Sequence, residues 1–159
     1  MTGVAFKLDV QGLAAAASWL AGMEIVEKHE LLDTLGQLGV SQTRRRIASE
    51  KTTPGGRAWK KTRQGEEALF RSGSHLYDSI DHAVGATEVR WGSGWIGARV
   101  HQFGATITPV NAKALHFKIG GEDVFTQKVT IPARIYLGVS VENEREMEQT
   151  ALRFIEAAS

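Results

Sequence analysis

Between Glu27 and Glu50 the chain places Leu32, Leu35, Gly39, Thr43 and Ile47 at the three-to-four spacing of one helix face. A helix with one apolar stripe has to lay it against another layer, so this stretch governs what the rest can become. Gly36 and Gly39 interrupt the pattern, each costing roughly 1 kcal/mol against alanine inside a helix. Either the helix breaks there, or a neighbouring backbone packs closely against it. The run Thr52-Thr53-Pro54-Gly55-Gly56 ends the helix.

The segments around it alternate in type. Val4 to Val10 alternates about Phe6, Leu8 and Val10, which predicts a short strand. Residues 11–22 are expected to be helical. The apolar run Gly12 to Met23 is too short to span a bilayer and lacks a basic start, so no membrane contact is expected. Ala68 to Ile80 holds enough apolar side chains for one or two short amphipathic turns. From Asp81 the pattern turns to strands, at Ala83-Val84-Gly85 and Glu88 to Trp91, with a short helix over Trp95 to Phe103 and a strand at Thr106-Ile107-Thr108. Leu115 to Ile119 and Val124 to Ile131 flank Gly120-Gly121-Glu122-Asp123, a hairpin with a four-residue loop. Pro132 has no N–H to give to a ladder, so the strand ends there or runs at an edge. Gly138 lets the backbone turn before a closing helix that starts near Asn143, rich in acid at its first turn, with Met147, Ala151, Phe154, Ile155 and Ala158 inward. The order predicts an α+β fold: N-terminal helices, a small mostly antiparallel sheet and a C-terminal helix, in a single domain over residues 1–159.

Of the 159 residues, 42% are apolar and 23% charged, which suits one soluble domain, and the absence of cysteine excludes disulfides and thiolate metal sites. The net charge of +1 is unevenly spread. Residues 44–63 carry Arg44, Arg45, Arg46, Lys51, Arg57, Lys60, Lys61 and Arg63 against the single acid Glu50, a surplus of +7 that leaves −6 for the remainder. Such polarity favours ordered association with charged partners. Residues 51–67 have no apolar period and one aromatic, Trp59. They are expected to form a mobile basic loop that orders against a partner, with Trp59 as its docking anchor. The same segment would serve a small nucleic-acid-binding protein, with Trp59 as a stacking platform.

Three chemical motifs are approached and none is completed. Gly92-Ser93-Gly94-Trp95-Ile96-Gly97 spells a dinucleotide fingerprint, but the following helix is cut short at Gly104 and no acid lies between Glu88 and Glu122. It is a glycine-rich turn. His29-Glu30-Leu31-Leu32-Asp33 is one letter from a zinc motif and has no third ligand at a useful spacing. The other histidines are scattered, with no nucleophile elbow. No catalytic residue, cofactor or metal is expected.

Four blocks resemble one family in order over about residues 40–158. Pro54-Gly55-Gly56-Arg57-Ala58-Trp59 is similar to the Pro-x-Gly-x-x-Trp segment of the phage virion-morphogenesis, or tail-completion, proteins. Leu69 to Ile80 resembles their Leu-x-x-(Ser/Thr)-Gly-x-Leu-x-x-Ser-Ile stretch, with one extra residue. Ala98 to Gly104 resembles their block ending His-Gln-Phe-Gly, here His101, Gln102, Phe103 and Gly104. The fourth is Pro132, Ala133, Arg134, Tyr136, Leu137 and Gly138, followed by an acidic helix.

The resemblance implies a structural protein of a tailed phage or prophage-derived particle. It would complete the tail or join tail to head as a ring subunit at the neck, located in the virion. Its partners would be itself, as a cyclic homo-oligomer (a hexamer by resemblance), and other neck or tail proteins, with DNA only as the molecule passing through the channel. Partner contacts are expected from Arg44, Arg45, Arg46, Arg57, Trp59, Lys60, Lys61 and Arg63. In the motif blocks, Arg134 is expected to bind backbone carbonyls or a carboxylate, Phe103 and Tyr136 to anchor sheet to helices, and His101 and Gln102 to satisfy turn backbone groups.

Overall fold

A computed structural model describes residues 3–9, 22–62, 69 and 74–158. The helix expected over 11–22 lies, but for Gly22, outside them, as does Arg63. The long helix, α1, runs unbroken from Ile25 to Arg45 and continues as a π-helical turn over Arg46–Glu50. At its start Glu24 and Glu27 cap one another reciprocally, and at its end Lys51 takes the left-handed conformation, φ 55°. Every residue of the expected stripe is buried, from Leu32 to Ile47.

Against α1 lies a three-stranded antiparallel sheet of β1 (Val4–Asp9), β2 (Ile80–Val84) and β3 (Glu88–Ser93), in the order β1-β3-β2. Its central strand alternates as a half-buried strand must, with Val89, Trp91 and Ser93 buried and Arg90 outward. Phe6, paired with Trp91 across the ladder, brings its ring centroid to 4.9 Å from the indole.

The two glycines of α1 sit beneath this sheet. A Cβ on Gly39 would stand 2.6 Å from the Trp91 ring, and one on Gly36 would stand 2.3 Å from His82 and 2.7 Å from Val89. Of the two alternatives raised by the sequence, close approach is the one realised, although the neighbours are side chains rather than backbone. Gly39→Ala gains about 1 kcal/mol of helix propensity but drives a methyl into a buried indole, an overpacking cost of about 1–3 kcal/mol. Net destabilisation is expected, seen as a lower denaturant midpoint at unchanged slope.

Two further antiparallel ladders stand apart from the core sheet. One pairs β4 (Ala105–Ile107) with β7 (Val129–Ile131), and the other pairs β5 (Leu115–Ile119) with β6 (Glu122–Thr126). The fold is α+β as expected, with its described strands divided among three small sheets rather than one. The β5–β6 turn is Gly120-Gly121 alone, at φ 60° and 91°; Glu122 and Asp123 already pair with Ile119 and Lys118. Adjacent glycines supply both positive-φ positions of a two-residue hairpin, so the four-residue loop is unnecessary. β7 stops at Ile131, immediately before Pro132.

Two short helices intervene, α2 (Ser74–Asp78) and α3 (Ala98–Phe103). The closing helix α4 spans Val141–Ala158, starting two residues before the expected Asn143. Ser140 is its cap: the Asn143 N–H donates to Ser140 Oγ at 3.1 Å and the Ser140 N–H to Asn143 Oδ1 at 3.4 Å. Asn143 and Met147 are buried on its inner face; Ala158, expected inward, is exposed at the helix end.

Candidate functional site

The basic cluster does not form one patch. Successive residues of a helix point about 100° apart, so Arg44, Arg45 and Arg46 leave α1 in three directions. Arg44 donates to the Tyr77 and Ile80 carbonyls at 3.2 and 3.0 Å and lies over the Tyr77 ring. Arg45 bridges Glu50 and Glu146, each at 3.1 Å. Hydrogen bonds to these two carboxylates raise its pKa further. Arg46 is buried. Its guanidinium donates to the Tyr136 carbonyl at 3.0 Å, the Gly138 carbonyl at 2.9 Å and the Asn143 Oδ1, with Glu50 at 3.6 Å. Burial pulls its pKa down, and the Glu50 charge works the other way. Arg46 was expected at a partner surface; it instead ties the end of α1 to the start of α4. Its position, three residues after Thr43 on the apolar stripe, is the sequence signal for this.

The following segment is also fastened within the subunit. Thr52 bridges to Ala58, the Thr53 N–H donates to the Arg57 carbonyl at 2.8 Å, and the Trp59 N–H donates to the Lys51 carbonyl at 2.9 Å. Gly56, at φ 82°, turns the tip. Trp59 is therefore delivered inward: it is 9% exposed, and its indole N–H donates to the Ile135 carbonyl at 3.1 Å. The expectation of a partner-docking Trp59 is corrected; the side chain belongs to the core. Arg57, Lys60 and Lys61 stay exposed beside it.

The two later motif blocks lock onto each other. Gln102 is buried, and its Oε1 accepts from the Tyr136 and Leu137 N–H groups at 3.0 and 3.1 Å while its Nε2 donates to the Leu137 carbonyl at 3.3 Å. One side-chain amide thus satisfies the buried backbone of Tyr136 and Leu137, in an irregular segment outside any strand ladder. The Tyr136 hydroxyl donates to the Ala98 carbonyl at 3.2 Å, and burial pushes its pKa well up. Arg134 Nε donates to the Lys60 carbonyl at 3.0 Å, the backbone acceptor expected of it, and its own N–H donates to the His101 carbonyl at 2.7 Å. Gly104, at φ 74°, lies where a Cβ would meet the Ala133 nitrogen at 2.8 Å. Leu137 is buried, Pro132 and Gly138 are half-buried, and Ala133 is exposed. A Cβ on Gly138 would meet Pro54 at 2.7 Å.

Two expectations for these blocks are overturned. Phe103 is 60% exposed and anchors nothing internally, lying instead against the exposed Arg99 guanidinium, because it sits on the outer side of α3. His101 serves the turn through its backbone carbonyl rather than its ring. The ring stacks on Trp95 at 5.7 Å, and its buried Nδ1 has no hydrogen-bond partner. Burial, with Arg134 nearby, lowers the His101 pKa and favours the neutral imidazole.

The near-match to a zinc motif resolves into a structural contact, Asp33 Oδ1 lying 2.8 Å from His82 Nε2, and no grouping of three potential ligands occurs among the described residues. Glu146 accepts from Gln42 at 2.9 Å and from Arg45; the Gln42 bond first, then Arg45, depresses its pKa below the usual 4.5. A depressed carboxylate contributes stability above its unfolded-state pKa and loses it as pH falls through the folded value. Asp33 is shifted the same way, chiefly by its His82 hydrogen bond. The melting temperature should therefore fall on acidification from about pH 6 to about pH 3, and Glu146→Gln should flatten part of that fall. An unchanged pH profile in the variant would remove Glu146 from the account.

No helix among the described residues is long and apolar enough to cross a membrane. Among curated proteins and solved structures, nothing matches the chain. The family model of phage virion morphogenesis proteins matches residues 8–156, nearly the whole chain. The chain belongs to the phage virion morphogenesis family, and its role is structural, in the assembly of the phage particle.

Proposed function

We propose that this protein completes the tail or joins tail to head as a subunit of a cyclic ring at the neck, in contact with its own copies and with neighbouring neck or tail proteins. The observation that carries the reading is the pair of ladders outside the core. A two-stranded ladder is marginal by itself in water, yet among the described elements the β5–β6 hairpin packs extensively against no other. Phe125 on that hairpin is 68% exposed, Ile107 in the β4–β7 ladder is 39% exposed, and Phe103, two residues before β4, is 60% exposed. Apolar groups left exposed on and beside such outlying elements suit a surface meant for neighbours. DNA enters this reading as the molecule that passes through the ring.

A nucleic-acid-binding role is less favoured, because Arg44, Arg45 and Arg46 are engaged within the subunit. The exposed cations left among the described residues of that segment are Arg57, Lys60 and Lys61, with Lys51 half-buried and bonded to the Ile47 carbonyl. The decisive experiment is a phage with a nonsense mutation in this gene, grown without suppression and viewed by electron microscopy. Full heads and tails that fail to join are expected, together with a closed ring of this protein at the head end of wild-type tails. Normal joining in the mutant would overturn the proposal.

A further inference from the structure

Two exposed surfaces of the subunit are opposite in charge and alike in carrying apolar side chains. The first is assembled where the motif blocks meet. The Trp59 indole holds the Ile135 carbonyl, Arg134 holds the Lys60 carbonyl, and Gln102 holds Tyr136 and Leu137, so the backbone at residues 60–61, 99–103 and 135 is brought together in one region. Among the described residues its exposed side chains are Lys60, Lys61, Arg99, Phe103 and Ile135, the last 42% exposed, with no acid among these five. The second is the outer face of α4. Val141, Glu144, Glu148, Leu152 and Glu156 recur at three-to-four spacing and are all exposed, Val141 by 58% and Leu152 by 59%. Arg145 lies on the same side and is the one cation interrupting this row. The inner face of α4 is occupied by α1, so the outer face points away from its own subunit.

We propose that the basic surface around Phe103 and Ile135 receives the outer face of α4 from a second copy of this chain. The inference rests on the ring reading and specifies its interface. Lysines 60 and 61 and Arg99 would face Glu144, Glu148 and Glu156, while Phe103 and Ile135 would meet Val141 and Leu152, so that apolar contacts alternate with charge pairs along the helix. Because the two faces are unlike, each subunit offers one and accepts the other, and a rotation that closes the series yields a ring rather than a two-fold dimer.

The chain has no cysteine, so introduced thiols report on this contact without background. The test is made in phage carrying Lys61→Cys together with Glu148→Cys, treated with a bismaleimide whose reach tolerates a range of registers. Assembled tails should yield a ladder of covalent oligomers, and neither single variant should exceed dimers. In parallel, Lys60→Glu with Lys61→Glu should lower the titre of joined particles by roughly 100-fold or more, the scale of several kcal/mol of like-charge repulsion. Adding Glu144→Lys and Glu148→Lys should recover most of that loss. A ring present at the tail end, with neither cross-links nor recovery, overturns this interface and leaves the proposed function standing. Tails that carry no ring of this protein overturn both.

Discussion

Arg46→Ala should be the most damaging single substitution in the described part of the chain. The guanidinium is 1% exposed and bonds the carbonyls of Tyr136 and Gly138 and the side chain of Asn143. Removing it strands these acceptors in the interior and leaves a cavity between α1 and the segment that leads into α4. Breaking a buried, charge-assisted network of this kind costs about 3–5 kcal/mol. For a domain of this size that lowers the melting temperature on the order of 10 °C. Arg46→Lys should recover only part of the loss, because a single ammonium cannot reproduce a planar fork that reaches two carbonyls and an amide oxygen together. Thermal and denaturant unfolding of the three proteins measures this. A fall under about 1 kcal/mol, the size expected of an exposed residue, would show that Arg46 does not carry the junction.

Trp59→Ala comes second, and its expected effect is on the fold rather than on assembly alone. The indole is 9% exposed in the core cluster, and its N–H satisfies the Ile135 carbonyl. Truncating a buried tryptophan costs about 3–5 kcal/mol. Trp59→Phe keeps most of the apolar contact and loses the hydrogen bond, so a penalty nearer 1 kcal/mol is expected. The pair separates packing from hydrogen bonding. If Trp59→Ala melts like the native protein, the indole is not part of the core and the segment is free to dock elsewhere.

Much of the molecule is written in local pattern. The stripe from Leu32 to Ile47, the alternation through Val89 and Trp91 and the acidic closing helix each depend on a period of 3.6 or 2 set by backbone geometry, and the strand end before Pro132 on the N–H that proline lacks. The ordered motif blocks likewise point to the phage morphogenesis family, to which the chain belongs. The packing at Gly36 and Gly39 was legible as one of two possibilities, since a glycine on a buried stripe signals either a break or a close neighbour.

The fate of charges and aromatics needed the tertiary structure. Arg44, Arg45 and Arg46 count equally toward a surplus of charge, but the turn of the helix separates them. The acceptors that take Arg46 inward lie some ninety residues later in the chain. Trp59 looks like a lone aromatic in a polar loop until the bridge between Thr52 and Ala58 folds it back onto Ile135. Phe103 looks like core until the short helix turns it outward. Periodicity is local and can be read along the chain. Whether a single side chain meets solvent or a partner far away in sequence is decided by long-range closure, which no local window contains.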